Sequence, residues 1–481
     1  MKKRPNILFA LADDASHFGI DGHRFVRTPA IDAVAGRGIH FLNAFTSNPK
    51  CAPSRASILT GRYPWQLEEA CNHYCYFPAG YELLPDLLEQ TGYHIGYTGK
   101  GWAPGNYEQA GLKRNPAGIA YNECTLTPPE GSCISRCDYA ENFRRFMEAK
   151  PSDQPFYFWY GCMEPHRHYS FGEGLRGGKS LREIDTVPDV WPDCDETRID
   201  MLDYAYEIEW FDSHLGKMLS LLESMGELDN TLVVVTSDNG CPFPRIKGQM
   251  YEQDFHLPMV AMWNQKLNVQ QPRKESGFVS FIDIAPTFLD AAQVPVPQSM
   301  TGHSFLAAFQ PDEGAYQKIA PDIVLFGREK HDLGRENDLG YPVRCVRTKQ
   351  YLYIHNFEPD RWPAGNPETG YTNCDSSPTK RIVLDMHEKG EDYYYRLAFA
   401  KRPREELYDI IRDPECLCNL ATKEHDLCEQ LRVLLFEQLR KTGDPRLDDP
   451  AYFDRMKLYS EQNAEYSWKA YQEGRWKKQP F

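Results

Sequence analysis

The sequence predicts an α/β protein whose large, mostly parallel sheet is flanked by helices and followed by a smaller antiparallel sheet with a helix. Short, continuous apolar runs alternate with helical segments along most of the chain, and this alternation stops near residue 340. Continuous apolar runs are typical of strands buried on both faces, and strand–helix alternation is typical of parallel sheets. At 481 residues the chain favours one large and one smaller domain, which we place at 1–342 and 343–481.

The first strand is the apolar run from Asn6 to Ala12, which ends at two aspartates. Helical and strand patterns then follow each other along the large domain, as expected for βαβ units. Helices are predicted from Pro29 to Gly38, Leu83 to Gln90, Tyr139 to Glu148 and Glu196 to Met225, and strands from Ile39 to Phe45, Tyr93 to Thr98, Phe156 to Tyr160 and Thr231 to Thr236.

The smaller domain is predicted from two neighbouring strands, Val343 to Arg347 and Tyr351 to Phe357, joined by a short turn. The segment from Phe357 to Lys380 is rich in Pro, Gly and Asn, which indicates an irregular loop. An amphipathic helix is predicted from Leu420 to Leu439. The last thirty residues are polar with scattered aromatic side chains, which is typical of a tail on the surface.

Composition excludes several classes of partner. The formal net charge of −15 argues against nucleic acid and against an anionic membrane surface. The chain has no apolar run approaching eighteen residues, so no membrane span is expected. The apolar segment after the basic start is too short for a signal peptide, so a cytoplasmic protein is expected from the chain as it stands. A periplasmic or secreted location is expected instead if a signal peptide has been removed.

The chain contains fourteen cysteines. The close pairs Cys71/Cys75, Cys133/Cys137 and Cys416/Cys418 lack the C-x-x-C spacing of zinc sites. Reduced, structural cysteines are therefore expected, which favours a reducing compartment.

The most informative local pattern is the run Cys51-Ala52-Pro53-Ser54-Arg55, which continues as Ala-Ser-Ile-Leu-Thr-Gly-Arg up to Arg62. Ser54-Arg55 leads into an apparent helix from Ala56 to Thr60. A side chain at a helix N-terminus lies where backbone N–H groups and the helix dipole favour anions. The run resembles the signature of the type I sulfatases, C-x-P-S-R followed by x-x-x-L-T-G-R.

This resemblance implies the alkaline-phosphatase-like sulfatase fold and a hydrolase of sulfuric esters or sulfamides. It also implies that a separate maturase oxidises Cys51 to formylglycine, whose hydrated aldehyde attacks sulfur. A sulfate ester is negatively charged, so attack needs a metal that holds the nucleophile and cations that neutralise the sulfate oxygens. Arg55 is expected to reach back to the modified Cys51 and the metal site.

Oxygen ligands follow two of the predicted strands. Asp13-Asp14 end the first strand, and Asp238-Asn239 follow the strand from Thr231 to Thr236. Ligands of open α/β sheets gather outside the carboxyl ends of strands, and carboxylates with an amide suit Ca²⁺ or Mg²⁺ rather than zinc. Each motif alone is also typical of a turn. The resemblance implies that all four, with modified Cys51, hold the ion, which is usually calcium in this family.

Three cationic or titratable side chains also follow predicted strands: Lys100 in Gly99-Lys100-Gly101, His166 in Glu-Pro-His-Arg, and Lys247 nine residues after Asp238. Each alone is typical of a solvated surface charge. The resemblance implies that Lys100 and Lys247 stabilise charge on the sulfate group. It implies that His166, with Lys247, protonates the leaving atom.

One position departs from the family pattern. The family motif G-K-x-H would place a histidine at position 102, where this chain has Trp102. In many relatives that histidine helps to deprotonate the sulfated adduct, and losing a general base costs about 10²- to 10⁴-fold in rate. His168 and His17 are the nearest replacements in sequence.

Within the family the chain resembles the sulfamidases, the N-sulfoglucosamine sulfohydrolases of heparan degradation. The likeness includes Asn43 to Ser47, the Pro-Phe-Pro of 242–244, Tyr341 to Arg344 and Tyr393 to Arg396. It implies a small saccharide with an N-sulfated or O-sulfated amino sugar at its end. His331, Arg335 and Arg344 are candidates for sugar contacts, with surface or core roles as the alternative.

Three other functions compete with an N-sulfoglucosamine hydrolase. The first is an O-sulfatase acting on another glycan or on an aryl sulfate, and the second is a phosphoester or phosphonate hydrolase of the same fold. The third is a catalytically silent glycan-binding protein, which Trp102 favours and the intact Cys51 motif disfavours.

Overall fold

A computed structural model describes residues 4–267, 272–312, 314–458 and 464–477 of the chain. Its strands form one large sheet, one four-stranded sheet and one two-stranded ribbon. The strands are β1 Asn6–Ala12, β2 Ile39–Phe45, β3 Cys75–Tyr76, β4 His94–Gly99, β5 Gly105–Asn106, β6 Phe156–Gly161, β7 Thr231–Ser237, β8 His256–Met262, β9 Arg273–Glu275, β10 Val279–Ser280, β11 Ile323–Arg328, β12 Val343–Thr348, β13 Tyr351–Asn356 and β14 Glu405–Asp409.

The large sheet has eight strands in the order β10-β2-β8-β7-β1-β6-β4, and β9 pairs with β2 at one end. Strand β8 runs antiparallel to β2 and β7, whereas the other pairings are parallel. Strand β1 lies inside the sheet between β7 and β6, and all seven of its residues are buried. The predicted α/β class with a mostly parallel sheet is confirmed.

Helices cover both faces of this sheet, so the alternating side chains of β1 enter two different cores. Ile7, Phe9 and Leu11 pack with the helices of one face, and Leu8 and Ala10 pack with those of the other. The helices are α1 Pro29–Gly36, α2 Cys51–Thr60, α3 Leu84–Gln90, α4 Tyr139–Ala149, α5 Glu173–Arg176, α6 Asp195–Ser224, α7 Glu252–Phe255, α8 Ile284–Ala291, α9 Pro378–Glu388, α10 Tyr393–Ala398, α11 His425–Lys441 and α12 Trp468–Gln472.

The second sheet is antiparallel, in the order β11-β12-β13-β14, and α11 packs against it through Leu431, Leu435 and Leu439. Its first strand, β11, lies before residue 343, so this sheet starts earlier in the chain than the predicted boundary. In sequence, β11 is an apolar run like the strands of the large sheet. Its antiparallel pairing with β12 shows that it belongs to the second sheet. In the predicted tail α12 is described, whereas 459–463 and 478–481 lie outside the described residues.

None of the fourteen cysteines forms a disulfide bond in the structure. Within the described ranges, none of the helices combines the length and the apolar character that crossing a membrane requires.

Candidate active site

The carboxyl ends of the parallel strands bring one set of polar side chains together at a single edge of the large sheet. This is where a parallel sheet exposes the loops that can bind ligands. Five loops contribute these residues. The loops after β1 and β2 contain Asp13 and Asp14 and lead to Cys51, respectively, and the loops after β4 and β6 contain Lys100 and His166. The loop after β7 contains Asp238, Asn239 and Lys247.

Cys51 is the first residue of α2, so the predicted helix starts five residues earlier than Ala56. The N–H groups of the first helical turn therefore lie beside the Cys51 side chain. Its thiol donates to Asp13 Oδ1 at 3.2 Å and lies 3.7 Å from Asp14 Oδ1. Burial and the Asp13 carboxylate raise the pKa of the Cys51 thiol well above its usual range, so the unmodified thiol is protonated.

A candidate cation site lies around Cys51. Ligand atoms of Asp13, Asp14, Cys51 and Asp238 all lie within 4.8 Å of one another. The side-chain oxygen of Asn239 is buried and, among the described residues, has no hydrogen-bond partner. Three carboxylates and a free amide oxygen form the kind of oxygen-rich ligand set that hard divalent cations prefer. These residues therefore fit a bound Ca²⁺ or Mg²⁺.

Buried cations surround the carboxylates. Lys100 Nζ lies 2.6 Å from Asp13 Oδ2, and Lys247 Nζ lies 2.6 Å from Asp14 Oδ2. Arg55 does not contact Cys51 through a hydrogen bond but donates from Nε to Asp238 Oδ2 at 2.7 Å. Burial alone would raise the pKa of Asp13, but Lys100 and Arg55 hold it well below its ordinary value. The carboxylates in turn raise the pKa of both lysines, so both are charged.

Calcium is expected to raise the melting temperature of the protein. A ligand that binds only the folded state at a hundred times its Kd stabilises that state by about 2.7 kcal/mol. Replacing Asp14, whose Oδ1 also accepts a hydrogen bond from Asn239 at 2.8 Å, with Asn should remove most of this shift. Differential scanning calorimetry with calcium and with a chelator measures it. Equal melting temperatures in both conditions would contradict a cation site here.

His166 faces the same carboxylates. Its Nδ1 donates to the backbone oxygen of Arg167 at 2.6 Å, so Nε2 is the ring atom that can exchange a proton with a ligand. That Nε2 lies 3.9 Å from Asp14 Oδ2, and the side chain is 36% exposed, so an incoming substrate can reach it.

Trp102 is buried beneath α2 and does not line the site. Its indole Nε1 donates to the Ala52 backbone oxygen at 3.0 Å, and its ring packs edge-on against Phe77. Of the two histidines considered as replacements, His168 lines an opening beside Lys100, Asp13 and His166. His17 instead stacks on His23, with 3.6 Å between ring centroids.

Replacing Trp102 with His is expected to destabilise the protein without raising its turnover. The variant loses the hydrogen bond to Ala52 and leaves a cavity next to Phe77. Large-to-small substitutions of this kind cost roughly 2 to 4 kcal/mol. Urea denaturation measures the loss, with Trp102→Phe as the control that keeps a ring. A stable Trp102→His variant with a higher kcat would contradict this purely structural role.

The three predicted sugar contacts have different surroundings from those expected. His331 is buried behind Lys50, and its Nε2 lies 3.2 Å from Asn48 Oδ1. Arg335 is buried and donates to the backbone oxygens of Trp362 and Leu339 at 2.8 and 2.9 Å. Both side chains are therefore engaged by other parts of the protein.

Arg344 is also buried, and its guanidinium is engaged by two carboxylates of the protein. On β12 it forms buried ion pairs with Glu329 at 2.8 Å and Asp444 at 2.7 Å. Breaking a buried ion pair costs about 3 to 5 kcal/mol because the partner charge is left uncompensated. Arg344→Met should therefore lower the melting temperature and leave the KM for substrate unchanged. A raised KM in a folded variant would restore the predicted contact.

Several charged residues around the site were missed by the sequence analysis. Lys50 precedes Cys51 and forms an ion pair of 2.9 Å with Asp332, which also accepts from His73 Nδ1 at 2.7 Å. Lys247 forms a second ion pair of 2.9 Å with Asp375. Lys50 and Asp332 are neighbours in sequence of Cys51 and of the candidate His331, which is the signal that could have identified them, whereas Asp375 lies in the predicted irregular loop.

Comparison with known proteins decides the family. The sulfatase family model matches residues 5–294, which is more than half of the chain. The chain belongs to the sulfatase family. A second model, described as N-sulphoglucosamine sulphohydrolase, C-terminal, matches residues 246–363. These matches confirm the predicted family and the predicted enzyme class.

Individual relatives agree with this assignment. Human N-sulphoglucosamine sulphohydrolase is 29% identical, and the alignment covers 92% of each chain. A solved structure described as a complex with its substrate D-glucosamine-2-N,6-O-disulfate is 19% identical, with a TM-score of 0.65 over 93% of this chain and all of that one. The phosphonate monoester hydrolase of Agrobacterium radiobacter is 17% identical, with a TM-score of 0.62 over 92% of this chain and 97% of that one. The structural matches support the predicted alkaline-phosphatase-like sulfatase fold.

Proposed function

We propose that this protein hydrolyses the sulfate group of a small sulfated sugar of the N-sulfoglucosamine type. The position of Cys51 supports this reaction type. Cys51 is the first residue of α2 and lies beside Asp13 and Asp14, which two charged lysines contact. In the sulfatase family this cysteine is the one converted to formylglycine. The likeness to the human enzyme, which extends over 92% of both chains, supports the sugar.

The chemistry needs two groups that the family implies. A formylglycine at position 51 supplies a hydroxyl nucleophile for sulfur, and a divalent cation supplies positive charge beside it. Asp13, Asp14, Asp238 and Asn239 are the residues that would hold the cation, with calcium as the expected ion. A transient formylglycine-generating maturase is therefore a required partner.

The chain's own residues stabilise charge and move protons. Lys100 and Lys247 are buried, charged and directed at the carboxylates around Cys51, so they can neutralise sulfate oxygens as charge develops. His166 Nε2 is the ring atom free to move a proton, because Nδ1 donates to the Arg167 backbone oxygen. After taking up a proton, Nε2 passes it to the departing nitrogen or oxygen, and the Lys247 ammonium assists at the same leaving atom. Arg55 holds two parts of the site in place. It donates to the carboxylate of Asp238 and to the backbone oxygen of Lys100.

Sulfate release from a substrate panel tests this proposal. Matured protein is assayed on glucosamine N-sulfate, glucosamine 6-O-sulfate, N-acetylglucosamine 6-O-sulfate, an aryl sulfate and a phosphonate monoester. Release from the N-sulfate is expected, and it should disappear in Cys51→Ala. Release from an O-sulfate alone would keep the sulfatase class and overturn the N-sulfate. Turnover of the phosphonate alone would favour the hydrolase that shares the fold. A matured protein that turns over none of them would favour a glycan-binding role.

A further inference from the structure

A pocket adjoins the candidate active site on the side of Lys247 and His166, and both residues line it. Its remaining walls include His73, Asp332, Asp375 and Tyr466, which come from four separate segments of the chain. The enclosed part of the pocket is small, about 80 Å³, and the rest of it opens to solvent. This is below the roughly 300 to 1,000 Å³ of typical small-molecule sites, so a sugar places only one edge of its ring against these walls and the remainder lies in the open mouth.

The position of the catalytic groups favours this pocket for the sugar. The proposed mechanism assigns Lys247 and His166 to the leaving atom, so the group that departs must lie beside them. A second opening is lined by Asp13, Lys100, His168 and also His166, but Lys247 does not line it, so of the two openings the first is the one that contains both groups. The sugar that carries the sulfate is therefore expected between Lys247 and the far wall at His73 and Asp332.

His73 presents an unused hydrogen-bond acceptor within this wall. Its Nδ1 lies 2.7 Å from Asp332 Oδ1, and a carboxylate only accepts, so the ring proton is on Nδ1. The other ring atom, Nε2, is buried and has no hydrogen-bond partner among the described residues. The side chain is 6% exposed. Burial, partly offset by Asp332, lowers the pKa of His73 to about 4, so the ring is neutral near pH 7.

Asp332 is itself fixed in place. Lys50 Nζ donates to its second oxygen, Oδ2, at 2.9 Å, so both carboxylate oxygens are engaged. The backbone N–H of His73 also donates to the backbone oxygen of Lys330 at 3.0 Å, which ties the two loops together. The Lys50–Asp332–His73 chain therefore sets both the tautomer and the orientation of the imidazole. A preorganised acceptor of this kind discriminates between ligands, because a ligand without a matching donor leaves it unpaired.

We propose that His73 is a specificity-determining residue whose Nε2 accepts a hydrogen bond from a ring hydroxyl of the sulfated sugar. This inference rests on the proposed function. It distinguishes sugar sulfates from aryl sulfates, since an aryl ring offers no hydroxyl to Nε2. Lys50 and Asp332 act through His73 as positioning residues.

Kinetics on two substrates test the inference. Matured wild type, His73→Ala and His73→Gln are assayed on glucosamine N-sulfate and on 4-nitrophenyl sulfate. We expect kcat/KM for the sugar to fall by about 10- to 100-fold in both variants, mainly through KM, with the aryl sulfate changed by less than about 3-fold. An equal loss on both substrates, or no loss on the sugar, would overturn the role of His73.

Deoxygenated sugars on the unchanged protein provide a test that does not depend on the folding of a variant. Wild type is assayed on glucosamine N-sulfate lacking the 3-, 4- or 6-hydroxyl. For one of the three analogues, kcat/KM of the wild type should fall as much as the His73→Ala substitution lowers it for the full sugar. With that analogue, His73→Ala should cause no further fall in kcat/KM. If no deoxygenation lowers kcat/KM, the hydroxyl contact does not exist. If wild type cleaves aryl sulfate but no sugar, the sugar substrate itself is wrong, and this inference falls with it.

Discussion

Cys51→Ala is expected to lower sulfate release from glucosamine N-sulfate by more than about 10⁴-fold, because removing a covalent nucleophile leaves only the surrounding binding and charge stabilisation. The Cys51 side chain lies between Asp13, Asp14 and the first turn of α2, and the described site offers no second side chain in that position. The variant should still bind calcium, because Asp13, Asp14, Asp238 and Asn239 remain.

The matched control is Cys345→Ala, which also removes a buried thiol. Cys345 lies on β12 in the second sheet, so its loss should leave sulfate release within about 2-fold, as is usual for substitutions distant from a site. Measuring sulfate by ion chromatography on both variants separates the nucleophile from a general effect of losing a cysteine. Residual turnover in Cys51→Ala close to that of wild type would show that another group attacks sulfur.

Lys247→Met is expected to lower kcat by about 10²- to 10³-fold, the usual cost of removing one preorganised charge from a transition state. Lys247 connects Asp14 and Asp375, so its ammonium is held in place before the substrate binds. Methionine keeps most of the buried volume of the lysine stem and removes the charge. Because the lysine is assigned to both the sulfate oxygens and the leaving atom, kcat should fall more than KM rises.

Lys179→Met is the matched control for this variant. Lys179 is also a buried lysine, held by the backbone oxygen of Phe25 at 2.8 Å and by Glu209, but it lies away from the strand ends that form the site. We expect reduced stability and an unchanged kcat. Steady-state kinetics on folded protein compare the two. If both variants lose kcat equally, the effect of Lys247 is structural rather than catalytic.

Much of the site could be predicted because parallel strands place their carboxyl ends together. Asp13, Lys100 and Asp238 each follow an apolar run, and the shared direction of β1, β4 and β7 brings them to one edge of the sheet. Cys51 was identified from its local motif, and its position at the start of α2 follows from the same run of residues. In these cases local sequence and sheet geometry suffice.

The sugar side of the site could not be predicted in the same way. His73, Asp332 and Asp375 lie on irregular segments, where no periodicity fixes the direction of a side chain. Their meeting depends on how the second sheet packs against the first. Arg344 ends a stretch that resembles the family, but that stretch does not reveal its direction: its place on β12 turns the side chain toward Glu329 and Asp444 inside the protein.

The proposed reaction requires formylglycine at Cys51 for every turnover. Preparations with graded aldehyde content, obtained by varying coexpression of a maturase and quantified by peptide mass, test it most directly. Sulfate release from glucosamine N-sulfate should rise in proportion to the aldehyde fraction and reach zero when that fraction is zero. Release that is independent of the aldehyde fraction would contradict the claim.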